Sequence, residues 1–177
     1  MPHGEIAAAL RAIRRVGDGS PAALCVELIV LTAVRPGEAR GAHWDEIDMA
    51  AARWTIPAAR MKAGRGFTVP LSTGALDVLE TARKLSDGSP LVFQSRTGRM
   101  LAPKTVSSVL RLAGVDSTLH GFRSSARSWM AESGVPAEVA EACLAHVPKS
   151  KVVQAYQRSD LLERRAEVLQ GWGDYVS

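Results

Sequence analysis

Cysteine is scarce in this chain: 177 residues contain two, Cys25 and Cys143, far apart in sequence. They do not form the closely spaced pair of a zinc site. His3, His43, His120 and His146 include no His-x-x-x-His pair, so no metal site is expected. Both cysteines lie in apolar helical stretches and read as small buried hydrophobes in a reducing compartment. Long apolar runs are missing as well. The most apolar stretch, Ala22 to Val34, is shorter than the ~20 residues of a membrane span and contains Glu27. Ala7 to Leu10 is too short for the core of a signal peptide, and Arg11, Arg14 and Arg15 follow at once. There is no repeat, low-complexity tract or long linker. These absences lead to the expectation of an intracellular, soluble protein with no membrane contact.

What is present suits one ordinary globular domain with a continuous core: 46% hydrophobic residues and 23% charged. Lys and Arg outnumber Asp and Glu by 22 to 18, for a net charge of +4. That excess is compatible with a polyanionic partner but does not require one.

The pattern along the chain is mostly helical. Ile6, Leu10 and Ile13 fall at helical spacing, and Gly17-Asp18-Gly19 stops that helix. Ser20 caps a second helix with Pro21 at its first position, running through Leu24, Leu28 and Leu31. Pro36-Gly37 interrupts it, and a short helix restarts around Glu38 to Ala42. Arg53 to Pro57 and Phe67 to Pro70 are β-prone and joined by a turn from Met61 to Gly66, with His43 to Ile47 available as a third strand. After the cap at Ser72, helices are predicted at Gly74 to Leu85, Ala102 to Ala113, His120 to Glu132, Pro136 to His146, Ser150 to Gln157 and Asp160 to Trp172. Leu91-Val92-Phe93 reads as a short buried extended piece. The expected fold class is mainly α with a small three-stranded antiparallel β-sheet.

Several short constellations bear on chemistry. His120 and Arg123 stand three apart at a helix start, where free amides and a partial positive charge suit a phosphate, although His-x-x-Arg alone is a weak signal. Arg35 sits where a buried helix gives way to a turn, with Glu38 three residues on to orient it; an ordinary ion pair at a helix boundary would look the same. Lys62 lies in the turn between two strands, where lysines are commonly just solvated. His146 ends one predicted helix, and Tyr156 sits in the next, where a lone tyrosine more often packs than reacts.

Taken in order, Arg35, Lys62, His120-x-x-Arg123, His146 and Tyr156 resemble the signature of the tyrosine recombinases, the phage-integrase family of site-specific DNA recombinases. The flanking residues agree: Thr32-x-x-Arg35-Pro36-Gly37-Glu38, Val69-Pro70-Leu71-Ser72, His120-Gly121-Phe122-Arg123, Leu144-Ala145-His146 and Ala155-Tyr156-x-Arg158-x-Asp160. The tail from Leu161 through Tyr175 is similar to prophage-type integrases of bacterial genomic islands, and the resemblance spans roughly Ala22 to Tyr175.

The resemblance implies that Arg35, Arg123 and His120 grip the scissile phosphate. Tyr156 would then be the nucleophile of a 3′-phosphotyrosine intermediate, with His120 as its base. Lys62 would be the general acid for the leaving 5′-oxygen, His146 a hydrogen-bond donor to the phosphate, and Glu38 the support of Arg35. It implies no cofactor and no metal, double-stranded DNA attachment sites as substrate, and a tetramer of the full-length protein on DNA. An excisionase or DNA-bending accessory factor is a possible partner, and the setting would be the bacterial cytoplasm. The chain would be a catalytic domain spanning 1–177, with the family's amino-terminal DNA-binding domains absent from it. A type IB-like topoisomerase and a non-catalytic DNA-binding or regulatory descendant are the alternative readings. Whether the last helix, with its leucines and Trp172, docks on a neighbour or packs at home is left open, as is the position of Tyr156 without DNA.

Overall fold

A computed structural model describes residues 1–146 and 161–177. The predicted helix from Ser150 to Gln157, with Tyr156, lies outside them. The first helix, α1 (Ile6–Gly17), turns its Ile6, Leu10 and Ile13 face into the core. The second, α2 (Pro21–Thr32), starts where Ser20 Oγ accepts the Ala23 amide at 3.4 Å. It is apolar on every side and accordingly buried on every side. Its one acid, Glu27, is buried and takes the Arg14 Nε–H at 2.7 Å, which pays the cost of hiding a carboxylate.

A short α3 (Pro36–Arg40) begins two residues earlier than the pattern around Glu38 suggested, because Pro36 takes the first helical position and Arg35 the cap. The sheet follows: β1 (Ile47–Asp48), β2 (Arg53–Ile56) and β3 (Phe67–Pro70), antiparallel throughout in that order. Trp54 pairs with Ile47 on one side and Val69 on the other. Trp54 and Ile56 face the core while Arg53 and Thr55 face out, the period of two a one-sided sheet requires. The third strand is shorter than the expected His43 to Ile47. Trp44–Glu46 coil into a 3-10 turn, and His43 instead bridges to Leu91. That bridge positions the buried Val92 and Phe93.

The carboxy-terminal half is helical: α4 (Thr73–Lys84), α5 (Pro103–Leu112), α6 (Gly121–Glu132), α7 (Ala137–Cys143) and α8 (Leu162–Val176). Helix α2 is the hub, packed by α1, α4, α5 and α8. Helix α8 packs at home: Leu169, Trp172 and Val176 are buried, and Trp172 Nε1–H donates to the Val30 carbonyl of α2 at 2.7 Å. Gly173 lets this helix approach so closely that a Cβ there would stand 2.8 Å from Ser72 Oγ. No helix among the described residues is long and apolar enough to cross a membrane.

Candidate active site

The site grows from the end of α2. Ala33 ends that helix in the left-handed region, at φ 52°, and its carbonyl accepts Arg123 Nη1–H. The chain then extends through Arg35, at φ −70° and ψ 144°, before α3 begins. Glu38, the third residue of α3, has both carboxylate oxygens engaged by Arg35. One accepts its backbone N–H at 2.8 Å and the other its Nη1–H at 3.0 Å. One buried carboxylate therefore caps the helix and fixes the guanidinium of its capping residue. The Arg-Pro-Gly-Glu sequence is a local device for aiming an arginine.

Arg123 lies in the first turn of α6 and is 4% exposed. Its Nη2–H donates to the Leu144 carbonyl at 2.9 Å, beside the bond to Ala33. Both acceptors are backbone dipoles. No carboxylate hydrogen-bonds this cation among the described residues. Burial, and then the neighbouring charge of Arg35, hold its pKa down at about 10, with Glu38 opposing them. It is still cationic at neutral pH. Two fixed guanidiniums thus sit close enough to repel, and the Glu38 charge opposes that repulsion. Such a pair is poised for an oxyanion, which would relieve the repulsion and use the free N–H groups of both forks.

His146 reaches the same neighbourhood through the backbone, two residues beyond the Leu144 carbonyl that anchors Arg123. The helix predicted to run to His146 stops at Cys143, and Ala145 turns left-handed at φ 50°. His146 Nδ1 lies 2.6 Å from Glu141 Oε2, and Glu141 Oε1 accepts Arg127 Nε–H at 2.7 Å. The Arg127 bond, followed by the His146 bond, holds the Glu141 carboxyl below its usual range. Glu141 is therefore an ionised acceptor, so Nδ1 of His146 carries the proton and Nε2 is left to face a ligand.

His120 occupies the cap of α6, exposed, three residues before Arg123. Its side chain makes no hydrogen bond to the described residues. Lys62 is exposed in the turn after the 3-10 segment Ala58–Arg60, likewise without a side-chain partner among them. The structure thus joins Arg35 to Glu38 directly and ties Arg123 to the backbone at Ala33 and Leu144, two residues from Arg35 and from His146, while His120 enters at the start of α6. Tyr156 lies outside the described residues.

Four supporting residues, Arg60, Arg127, Glu141 and Arg165, escaped the sequence reading. Arg60 stands two residues before Lys62, and its guanidinium is drawn onto α3 and Glu46. The Glu141 clamp links residues 127, 141 and 146 on two helices and a loop, a spacing with no motif. Arg165 of α8 is buried, donates to the Thr68 carbonyl at 2.6 Å and lies 4.4 Å over the Phe67 ring, tying the last helix to β3. Among the described residues no group of three or more His, Cys, Asp or Glu side chains is arranged for a metal ion.

Comparison with known proteins points to one family. The phage integrase family model matches residues 1–162. The prophage integrase IntA of Escherichia coli (strain K12) is 48% identical over 151 residues, an alignment covering 83% of this chain and 37% of that protein. The integrase of Enterobacteria phage P4 is 34% identical over 86% of this chain and 39% of its own length. The chain thus spans well under half the length of these relatives. Among solved structures, the integrase from mycobacterium phage Brujita superimposes with a TM-score of 0.70 at 15% identity, covering 97% of this chain and 62% of that one. The lambda integrase catalytic core matches with a TM-score of 0.60 at 21% identity, covering 79% of this chain and 93% of its own. At these identities the structures speak for the fold.

Proposed function

The chain belongs to the phage integrase family, and on that premise we propose that it is the catalytic domain of a site-specific DNA recombinase acting through Tyr156. The observation that carries this reading is the pair of anchored, mutually repelling guanidiniums of Arg35 and Arg123. Such a pair stabilises charge that grows on non-bridging phosphate oxygens during attack, and so favours the transition state over the ground state. His146 Nε2, its ring held by Glu141, adds a hydrogen bond to the same phosphate.

In this mechanism the Tyr156 oxygen bonds to phosphorus and the bond from phosphorus to the 5′-oxygen breaks. His120 takes the phenolic proton, a needed step because a tyrosine with a pKa of ~10 is about one part in a thousand ionised at pH 7. Lys62 gives a proton to the departing 5′-oxygen. The phosphotyrosine keeps the phosphodiester's energy, so a 5′-hydroxyl from another duplex rejoins the strand without ATP. Neither metal nor cofactor enters these steps. The substrate is double-stranded DNA carrying attachment sites, engaged as a tetramer of a longer protein that supplies further DNA-binding domains. A solved relative of this fold is described as a lambda integrase tetramer bound to a Holliday junction. That description supports the assembly assigned here. An excisionase or DNA-bending factor would fit an element that must both enter and leave a bacterial chromosome.

The test is a nicked duplex bearing the attachment site, mixed with wild type or Tyr156→Phe in chelator and run on a denaturing gel. Wild type should yield a protein–DNA band and the variant none, with DNA binding nearly unchanged. A Tyr156→Phe protein that still traps DNA overturns the assignment.

A further inference from the structure

Lys62 must meet a 5′-oxygen at a phosphate held by Arg35, yet nothing in the described chain holds the lysine itself. Its support lies two residues upstream. Arg60 closes the 3-10 segment Ala58–Arg60 and sends its guanidinium away from the turn, onto α3. There Nη1–H donates to the Gly41 carbonyl and, at 3.2 Å, to the Glu38 carbonyl, while Nη2–H pairs with Glu46. Glu46 is itself fixed, because the same oxygen takes Trp54 Nε1–H at 3.0 Å. Glu38 is the residue whose carboxylate aims Arg35. Met61, between Arg60 and Lys62, is buried in the core. The guanidinium lies against Gly41, which has no side chain to stand beside it.

From this geometry we infer that Arg60 is a positioning residue, which locks the base of the Lys62 turn to the α3 segment that aims Arg35. The inference rests on the reading of Lys62 as general acid. Its chemistry is the cleavage step already written: the Tyr156 oxygen joins phosphorus, the 5′-oxygen leaves, and a Lys62 ammonium proton goes to that oxygen. Arg60 touches neither substrate nor transferred proton. It sets where the ammonium stands, and a displacement of about 1 Å costs on the order of 10²-fold in rate.

The experiment compares single-turnover cleavage by the full-length protein of two nicked duplexes. One carries the ordinary 5′-oxygen at the scissile position and the other a 5′-bridging sulfur. A thiol, with a pKa of ~8.5, departs as thiolate without help, whereas an alcohol needs the acid. Arg60→Met removes the lock. Arg60→Lys keeps the charge but loses the planar fork that spans the two carbonyls and Glu46. Lys62→Ala is the reference for a lost acid.

Both Arg60→Met and Arg60→Lys should slow cleavage of the oxygen substrate about 10–100-fold and return to within about threefold of wild type on the sulfur substrate. Lys62→Ala should behave alike with a larger first effect. If Lys62→Ala is rescued by sulfur while the other two stay slow on both substrates, Arg60 serves the phosphate site or the fold at large, and the inference falls. Wild-type rates for Arg60→Met on the oxygen substrate would overturn it as well. If Lys62→Ala itself is not rescued, the acid role of Lys62 fails and takes the inference with it.

Discussion

Glu38→Gln is the sharpest probe of how the site is built. The carboxylate is 4% exposed and both its oxygens are occupied, by the Arg35 amide and by Arg35 Nη1. Glutamine has the same shape but one acceptor oxygen, and its NH₂ cannot take a donor. The helix-capping bond to the amide can persist, so the bond to the guanidinium is lost. A hydrogen bond to a charged group is worth roughly 1.5–3 kcal/mol. Arg35 is 28% exposed and can partly rehydrate, so the net cost should be about 1–2 kcal/mol, or a fall of about 2–8 °C in Tm for a domain this size. Two further effects act on chemistry. Arg35 loses its aim, which should slow cleavage on the order of 10²-fold. Arg123 loses a charge that opposes the depression caused by burial and by Arg35, so its pKa falls further below about 10. Thermal unfolding and single-turnover cleavage of a nicked duplex read the two effects separately. A variant that melts lower but cleaves at the wild-type rate would refute the idea that Glu38 aims Arg35, leaving the carboxylate a helix cap alone.

Two other predictions follow from the supporting contacts. The Glu141 carboxyl is held below its usual range by Arg127 and His146, so its contribution to stability is present above pH ~4.5 and fades as pH falls through the lowered value. The gap in Tm between wild type and Glu141→Gln should therefore shrink between pH 6 and pH 3, and a gap that stays constant would contradict the clamp. Burial pushes the thiol of Cys25 up to about 12 and that of Cys143 to about 11. A thiol reagent at pH 8 should label neither cysteine in the folded protein and both in denaturant; fast native labelling would place one of them at the surface.

The line between what was written in the sequence and what was not is a line between local and long-range physics. Helix starts at Ser20 and Ser72, the stop at Gly17 to Gly19 and the β2–β3 hairpin depend on neighbours a few residues apart, and all were legible. The family was legible too, from its resemblance to the ordered motif of Arg35, Arg123, His146 and Tyr156. The end of α7 was misjudged because Ala145, an alanine, takes a left-handed turn that no local residue type announces. The docking of Trp172 on Val30, 142 residues away, settled where the last helix lies. The role of Arg60 was equally hidden, since its partners at Glu38, Gly41 and Glu46 become neighbours only once the hairpin folds onto α3. The amino-acid sequence by itself determined the family and nominated the side chains proposed to carry the chemistry. The tertiary structure decided how Arg123 and His146 are held, because a buried guanidinium takes its direction from carbonyls that arrive from elsewhere in the chain.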